Sequence, residues 1–131
     1  MPLRAFVFEC STNTYMECVE KGVFGSNKPW PLEVAQGDFC LLHHYEVGTL
    51  LALWKADING GLKIVPKAWG GRFPFQARVT LVSSGIIEVP RKAIDDFVVS
   101  PLTGRLDNVL EGERAEGLIQ VLRGMTQLRE T

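Results

Sequence analysis

From Phe73 to Leu81 the chain alternates with near-strict period two. Phe73, Phe75, Ala77, Val79 and Leu81 fall on one side, and Gln76, Arg78 and Thr80 on the other. Such alternation predicts a strand that packs one face and leaves the other to solvent or a ligand. A second run, Leu3–Glu9, places Phe6 and Phe8 on one side and Leu3, Ala5 and Val7 on the other, and reads as a strand buried on both sides. Phe39–His44 and Leu50–Ala56, separated by a hairpin turn over Tyr45–Thr49 with Gly48 inside it, read as an antiparallel pair. A short strand, Leu62–Val65, follows the Asn59-Gly60-Gly61 turn.

Helices are expected at the two ends. Ser11 or Thr12 is a suitable N-cap, Thr14 and Glu17 resemble a capping box, and Tyr15, Cys18 and Val19 give that short helix one apolar face before Gly22 ends it. Pro90–Phe97 can open a second short helix, and Ser100–Asn108 is rich in turns. Glu113–Leu128 sets Leu118, Val121, Leu122, Met125 and Leu128 at helical spacing, an amphipathic helix able to dock on a sheet. The fold class is α+β: about five strands, mostly antiparallel, forming a curled sheet or small open barrel with flanking helices. With 131 residues, 46% hydrophobic and 22% charged, residues 1–131 form a single domain.

No apolar run reaches the roughly 18 residues of a membrane span, and no secretory signal pattern opens the chain. Three widely spaced cysteines, Cys10, Cys18 and Cys40, predict free thiols in a reducing, cytoplasmic setting. The net charge of −1 excludes a protein that coats nucleic acid by bulk electrostatics. Its distribution is uneven, however. Between Lys55 and Lys92 lie Lys55, Lys63, Lys67, Arg72, Arg78, Arg91 and Lys92 against only Asp57 and Glu88. A small anion-holding site therefore fits the middle of the chain.

Several local sequences, taken in order, resemble the plant development and cell death (DCD) domain. Phe6-Val7-Phe8-Glu9-Cys10, the helix through Thr14 and Glu17, and Val23-Phe24-Gly25 follow its opening pattern. Gly37-Asp38-Phe39-Cys40-Leu41-Leu42, Trp54-Lys55-Ala56, Gly60-Gly61 with Ile64, and Pro66-Lys67-Ala68-Trp69 follow its middle. Phe73-Pro74-Phe75-Gln76-Ala77-Arg78-Val79 resembles its most specific piece, F-P-A-Q-V-R-V, and Arg105-Leu106-Asp107 to Leu118 its approach to the last helix. Ser26 in place of leucine, His43-His44 in place of Tyr-Asn, and Phe75 and Ala77 in place of smaller or branched residues mark a distant relative of the plant proteins. The DCD pattern is in turn similar to the PUA-like group, with its PUA, EVE, ASCH and YTH domains. That likeness implies a PUA-like mixed, mostly antiparallel β-barrel that binds RNA or a modified base. Fold alone does not fix such a function.

The candidate ligand-binding residues are Trp30, Trp54, Trp69, Gln76, Arg78, Arg72 and Lys67. Pro29 and Pro31 stiffen the Gly25–Pro31 loop, so Trp30 is displayed at little ordering cost and can stack on a base. Trp54 shares a strand face with Leu50 and Ala52 and leans towards the core, while Trp69, on the glycine-flanked Pro66–Gly71 segment, can equally seal a barrel end. Arg78 suits a phosphate and Gln76 a base edge, with Thr80 completing a polar stripe that is otherwise a solvated sheet face. Cys40, His43 and His44 alternate in direction and lack the spacing of a metal site. Nothing resembles a phosphate-binding glycine loop or a nucleophile elbow. The sequence predicts a non-catalytic domain with no cofactor and no metal, binding RNA or a modified nucleotide through an aromatic and basic pocket. The alternative is a protein-interaction module with a protein partner in place of nucleic acid. Neither reading involves a membrane.

Overall fold

The computed structural model describes residues 3–130, with side chains up to residue 125. One sheet organises the chain. Its strands are β1 (Arg4–Cys10), β2 (Val23–Ser26), β3 (Phe39–His44), β4 (Thr49–Ala56), β5 (Gly61–Leu62), β6 (Phe75–Leu81), β7 (Ile87–Pro90) and β8 (Val109–Glu111). The path runs β2-β6-β4-β3-β1-β8, with β5 added to β6 and β7 added to β4. Only β1 and β3 pair in parallel, from Ala5 opposite Phe39 to Cys10 opposite His44; every other described pairing is antiparallel. The sheet curls until β2 lies against β1, giving a half-barrel. The architecture is the expected mixed α+β one, but the expected five strands are eight. The additional ones, β2, β7 and β8, have only three or four residues each, too short to show a period.

Each side of the sheet carries its own core. On one side Ala5, Val7, Leu41, Leu50, Ile94, Leu110, Leu118 and Leu122 pack together. The cover comes from α2 (Asp95–Val98) and α3 (Gly112–Glu130), the latter burying the Leu118 and Leu122 stripe expected of an amphipathic helix. The Leu128 side chain, placed on that stripe by its spacing, lies outside the described side chains. Gly117 is where α3 meets α2: a Cβ there would come within 2.6 Å of the Phe97 ring. The other side is aromatic and sulfur-rich, with Phe6, Phe8, Phe24, Trp54, Trp69 and all three cysteines.

Strand β4 explains how Trp54 reaches the aromatic side. Cys40 pairs with Trp54 and Leu42 with Leu51, so Ala52 and Leu53 together oppose the single residue Leu41. That bulge interrupts the alternation. Leu50, Ala52 and Leu53 join the aliphatic core while Leu51, Trp54 and Ala56 join the aromatic one. Trp54 therefore does not share a face with Leu50 and Ala52, as strict alternation predicts. The same irregularity lets β4 pair first with β7 and then with β6 along one edge.

Helix α1 (Thr12–Lys21) begins at Ser11, whose backbone N–H donates to Thr14 Oγ1 at 2.9 Å. The reciprocal cap thus joins Ser11 to Thr14, one turn earlier than the Thr14–Glu17 pairing expected from sequence. Gly22 closes the helix in the left-handed region at φ 62°. Glu17 is released for another role, described below.

Candidate aromatic cavity

The site begins where β1 runs into α1. There the strand end, the helix start, the β2 exit and the Trp30 turn enclose a cavity of about 410 Å³. That lies within the usual range of small-ligand sites, roughly 300–1,000 Å³. Its aromatic lining is Trp30, Phe73 and Tyr45. Polar lining comes from Ser11, Asn13 and Thr14 of the helix start, Ser26 at the end of β2 and Asn27 after it, and Asn108 before β8. Lys28 and Arg72 supply positive charge, and Glu9 completes the lining near the end of β1.

Trp30 owes its position to both sequence and packing. Pro29 and Pro31 hold a 3₁₀ turn over Trp30–Glu33, and the Leu32 N–H donates to the Pro29 carbonyl at 3.0 Å. Gly60 presses against this turn so closely that a Cβ would run into the Pro31 carbonyl oxygen. The Trp30 ring is half-buried, with its centroid 4.5 Å from that of Phe8 and 6.2 Å from that of Phe6, parallel to the latter within 5°. It is thus less freely displayed than a bare proline loop suggests. Its orientation is fixed by the aromatic core.

The opposite wall rests on Trp69. Its backbone lies in the left-handed region at φ 51°, followed by Gly70 at 65° and Gly71 at 82°. Strain of this kind persists only where surrounding contacts fix it. Glu17 Oε2 accepts the Trp69 backbone N–H at 2.7 Å, and the indole N–H donates to the Thr14 carbonyl at 3.3 Å. The Trp69 hydrogen bond, aided by Lys21 and Arg72, holds the Glu17 carboxyl below its ordinary range. Gly25 leaves room for the indole, since a Cβ there would sit 2.6 Å from the ring. Trp69 meets Phe73 edge-on at 5.4 Å, and the Arg72 guanidinium lies 5.5 Å from the Phe73 ring centroid while its Nε–H donates to the Trp69 carbonyl. Trp69 is a buried support behind the wall, not a surface that a ligand touches.

The sequence-derived candidates separate accordingly. Trp30 and Arg72 line the cavity together. Trp54 is 4% exposed inside the aromatic core, edge-on to Phe24 at 5.0 Å. Gln76, expected on an open polar stripe, is buried at 1% exposure. Its Oε1 accepts the Val65 N–H, and its Nε2 donates to the Val65 and Phe73 carbonyls. The irregular 65–73 segment has no sheet ladder to satisfy those backbone groups, so the amide serves in its place. Arg78 and Thr80 are exposed, Thr80 donating to Asp57 at 2.6 Å. Arg78, opposite Val23 on β6, and Lys67, at the start of the Ala68–Gly71 turn, are not among the lining residues.

Sequence reasoning passes over Asn13, Lys28, Tyr45, Phe73 and Asn108. Ser26, Asn27 and Lys28 sit in the same loop as Trp30, and that adjacency is a usable signal. Asn108 gives none: its side chain donates to the Val7 carbonyl across 101 positions of sequence.

Cys10, Cys18 and Cys40 are free and buried. Desolvation pushes the Cys10 and Cys18 thiols up to about 12 from an ordinary 9.0, and Cys40 is likewise raised by burial. These are packing groups and poor nucleophiles. Among the described residues no group of three or more His, Cys, Asp or Glu side chains could hold a metal ion. No helix among them is long and apolar enough to cross a membrane.

Solved structures that share this fold include two YTH domains. One is the YTH domain of the Zygosaccharomyces rouxii MRB1 protein in complex with N6-methyladenosine RNA, at 15% identity over 91% of this chain and 86% of that one, with a TM-score of 0.61. The other is the Pho92 YTH domain in complex with m6A, at 13% identity over 91% and 82% of the respective chains, also with a TM-score of 0.61. Both are PUA-like domains. No curated protein matches the chain. The development and cell death domain model matches residues 4–98, from β1 through α2. With that match over most of its length, the chain belongs to the development and cell death domain family.

Proposed function

We propose that this domain is a non-catalytic RNA reader whose cavity receives one unstacked base. The observation that carries the reading is the composition of the cavity wall. Trp30 and Phe73 offer aromatic rings, Asn13, Asn27 and Asn108 offer amides, and Lys28 and Arg72 offer cations beside them. Bases splayed from single-stranded RNA are held by these means: stacking on aromatic rings, hydrogen bonds to base edges and charge on the phosphates. The two YTH domains of similar fold were solved with N6-methyladenosine ligands, which supports a base-binding reading of the shared architecture.

In this reading Trp30 stacks the base, the amides meet its edge, and Lys28 and Arg72 hold the flanking phosphates. The near-neutral total charge agrees with a short footprint of a few phosphates. The test is a titration of short single-stranded RNAs and nucleosides against intrinsic tryptophan fluorescence, in the natural chain and in Trp30→Ala and Arg72→Ala variants. Saturable quenching that weakens in both variants supports the site; unchanged quenching in both removes it.

A protein-interaction role has its own footing in Leu62, 60% exposed on β5, which among the described strands pairs with β6 alone. A pull-down with and without nuclease separates the readings. Protein partners that survive nuclease, with no co-purifying RNA, favour the second.

A further inference from the structure

We propose that Glu17, a carboxylate outside the cavity, is the positioning residue of its second wall. By holding the Trp69 peptide it aims Arg72 and supports Phe73, so removing this negative charge weakens the binding of an anionic strand. The inference rests on the base-binding reading above and names what sets the geometry of that site.

The 65–73 segment needs such help. Backbone bonds join Ala68 to Val65 and Gly70 to Lys67, but the one from Arg72 to Trp69 is stretched to 3.4 Å. Gln76 serves the two ends, at Val65 and Phe73. The middle is held from α1. Thr14 and Glu17, one turn apart on that helix, take the indole N–H and the backbone N–H of Trp69 respectively. The bond to the carboxylate is the shorter of the two, 2.7 Å against 3.3 Å, and is charge-assisted. It anchors a bulky residue at φ 51° and ψ 31°, a conformation that persists only where outside contacts fix it.

The Trp69 peptide in turn carries the wall. Its carbonyl accepts the Arg72 Nε–H at 3.1 Å, and its ring meets Phe73 edge-on. Arg72 forms no ion pair among the described residues, so the Trp69 carbonyl is its polar anchor. Arg72 and Phe73 line the cavity, whereas Glu17 does not. Turning the Trp69 peptide therefore displaces a cation and a ring together. The sign of the effect separates positioning from plain electrostatics. Loss of a negative charge by itself favours a polyanion, while loss of a positioning group disfavours it.

The experiment titrates a short uridine-rich single-stranded RNA into the full chain, followed by tryptophan fluorescence at one ionic strength. Glu17→Ala, Glu17→Gln, Arg72→Ala and the Glu17→Ala/Arg72→Ala double variant are run beside it, with circular dichroism to verify each fold. Glu17→Ala should weaken binding severalfold and add little to Arg72→Ala, since the two act through one contact. Glu17→Gln, whose amide oxygen still accepts an N–H, should restore most of the loss. In the RNA-free protein, Glu17→Ala should speed hydrogen exchange at the Trp69 amide by roughly tenfold or more. Equal or tighter RNA binding by Glu17→Ala overturns the inference, as does full additivity with Arg72→Ala or unchanged exchange at Trp69.

If Glu17→Ala fails to fold, an acid titration of the natural chain by NMR decides. The Trp69 hydrogen bond, then Lys21 and Arg72, hold the Glu17 carboxyl below its ordinary 4.5. The Trp69 amide proton should follow a titration below that value, and an amide that ignores it overturns the inference. Failure of the RNA to perturb the tryptophans of the natural chain has a separate meaning: it removes base binding itself, and the RNA-free measurements still decide whether Glu17 holds the wall.

Discussion

The two sides of the sheet are built from the same strands, yet they do different things. On the aliphatic side Ala5, Val7, Leu41 and Leu50 pack with Leu118 and Leu122 of α3 in a core made mostly of aliphatic side chains. On the aromatic side Phe6, Phe8, Phe24, Trp54 and Trp69 are covered only by α1 and two irregular turns. Large flat rings meet there at angles from 5° to 78°, and the last of them, Trp30 and Phe73, edge a cavity. The binding surface is thus the unfinished margin of one core, and ring orientation in the cavity is inherited from the ring packing beneath it.

A matched pair of truncations puts this contrast under the heaviest load. Phe8→Ala removes the ring under Trp30 and should cost roughly 3–5 kcal/mol of folding stability; Leu118→Ala on the other side should cost roughly 2–5 kcal/mol. Denaturant unfolding measures both. RNA affinity, measured on whatever remains folded, should fall with Phe8→Ala and hold with Leu118→Ala. Equal weakening of binding in the two would mean the sides are not functionally separate.

A gentler probe is Gly25→Ala. The new methyl would press on the Trp69 ring and on Phe73 Cβ, 3.0 Å away, so overpacking should cost roughly 1–3 kcal/mol and tilt the cavity wall. Gly117→Ala makes a comparable clash with Phe97 on the aliphatic side and should leave RNA binding unchanged. Smaller still is the effect of the cations. Each of Lys28→Ala and Arg72→Ala should weaken binding severalfold and flatten the dependence of log affinity on log salt by about 0.7 for each phosphate no longer neutralised.

The thiols distinguish the two sides by pH. All three cysteines lie in the aromatic core. In the unfolded chain a thiol ionises near 9.0, whereas Cys10 and Cys18 stay protonated in the native state up to about 12. Raised native values favour the folded state below the unfolded value and remove stability as pH climbs above it. Melting temperature should therefore hold between neutrality and pH about 8 and decline above about 9, with a shallower decline when the cysteines are replaced by alanine. An identical alkaline decline in the cysteine-free chain would contradict this assignment.

Much of the scaffold is legible in the sequence because period and punctuation carry it. Leu3–Glu9 and Phe73–Leu81 announce strands, Gly22 marks the end of the first helix and Gly48 the β3–β4 turn, and the Leu118–Leu122 stripe announces the docking helix. Legibility fails where tertiary structure overrides local pattern. The bulge at Ala52 and Leu53 turns Trp54 away from the face its neighbours predict. Gln76, polar on a polar stripe, is drawn inward because an irregular segment needs backbone partners. Of the cavity, Trp30 and Arg72 can be read from a stiff loop and a basic segment. Glu9 and Asn108 cannot, because what makes them part of the site is the closure of β1 against β8 and of β2 against β1, and no short-range signal encodes that.

Whether a base enters the cavity edged by Trp30 and Phe73 can be read from amide and indole NMR shifts recorded during titration with a single-stranded RNA. The largest changes should fall on the Trp30 indole, on residues 25–28, on Asn13 and on Phe73, with the amides of α3 undisturbed. Shifts centred on Arg78 and Lys67, or saturable binding with no change at Trp30, would contradict base entry at this cavity.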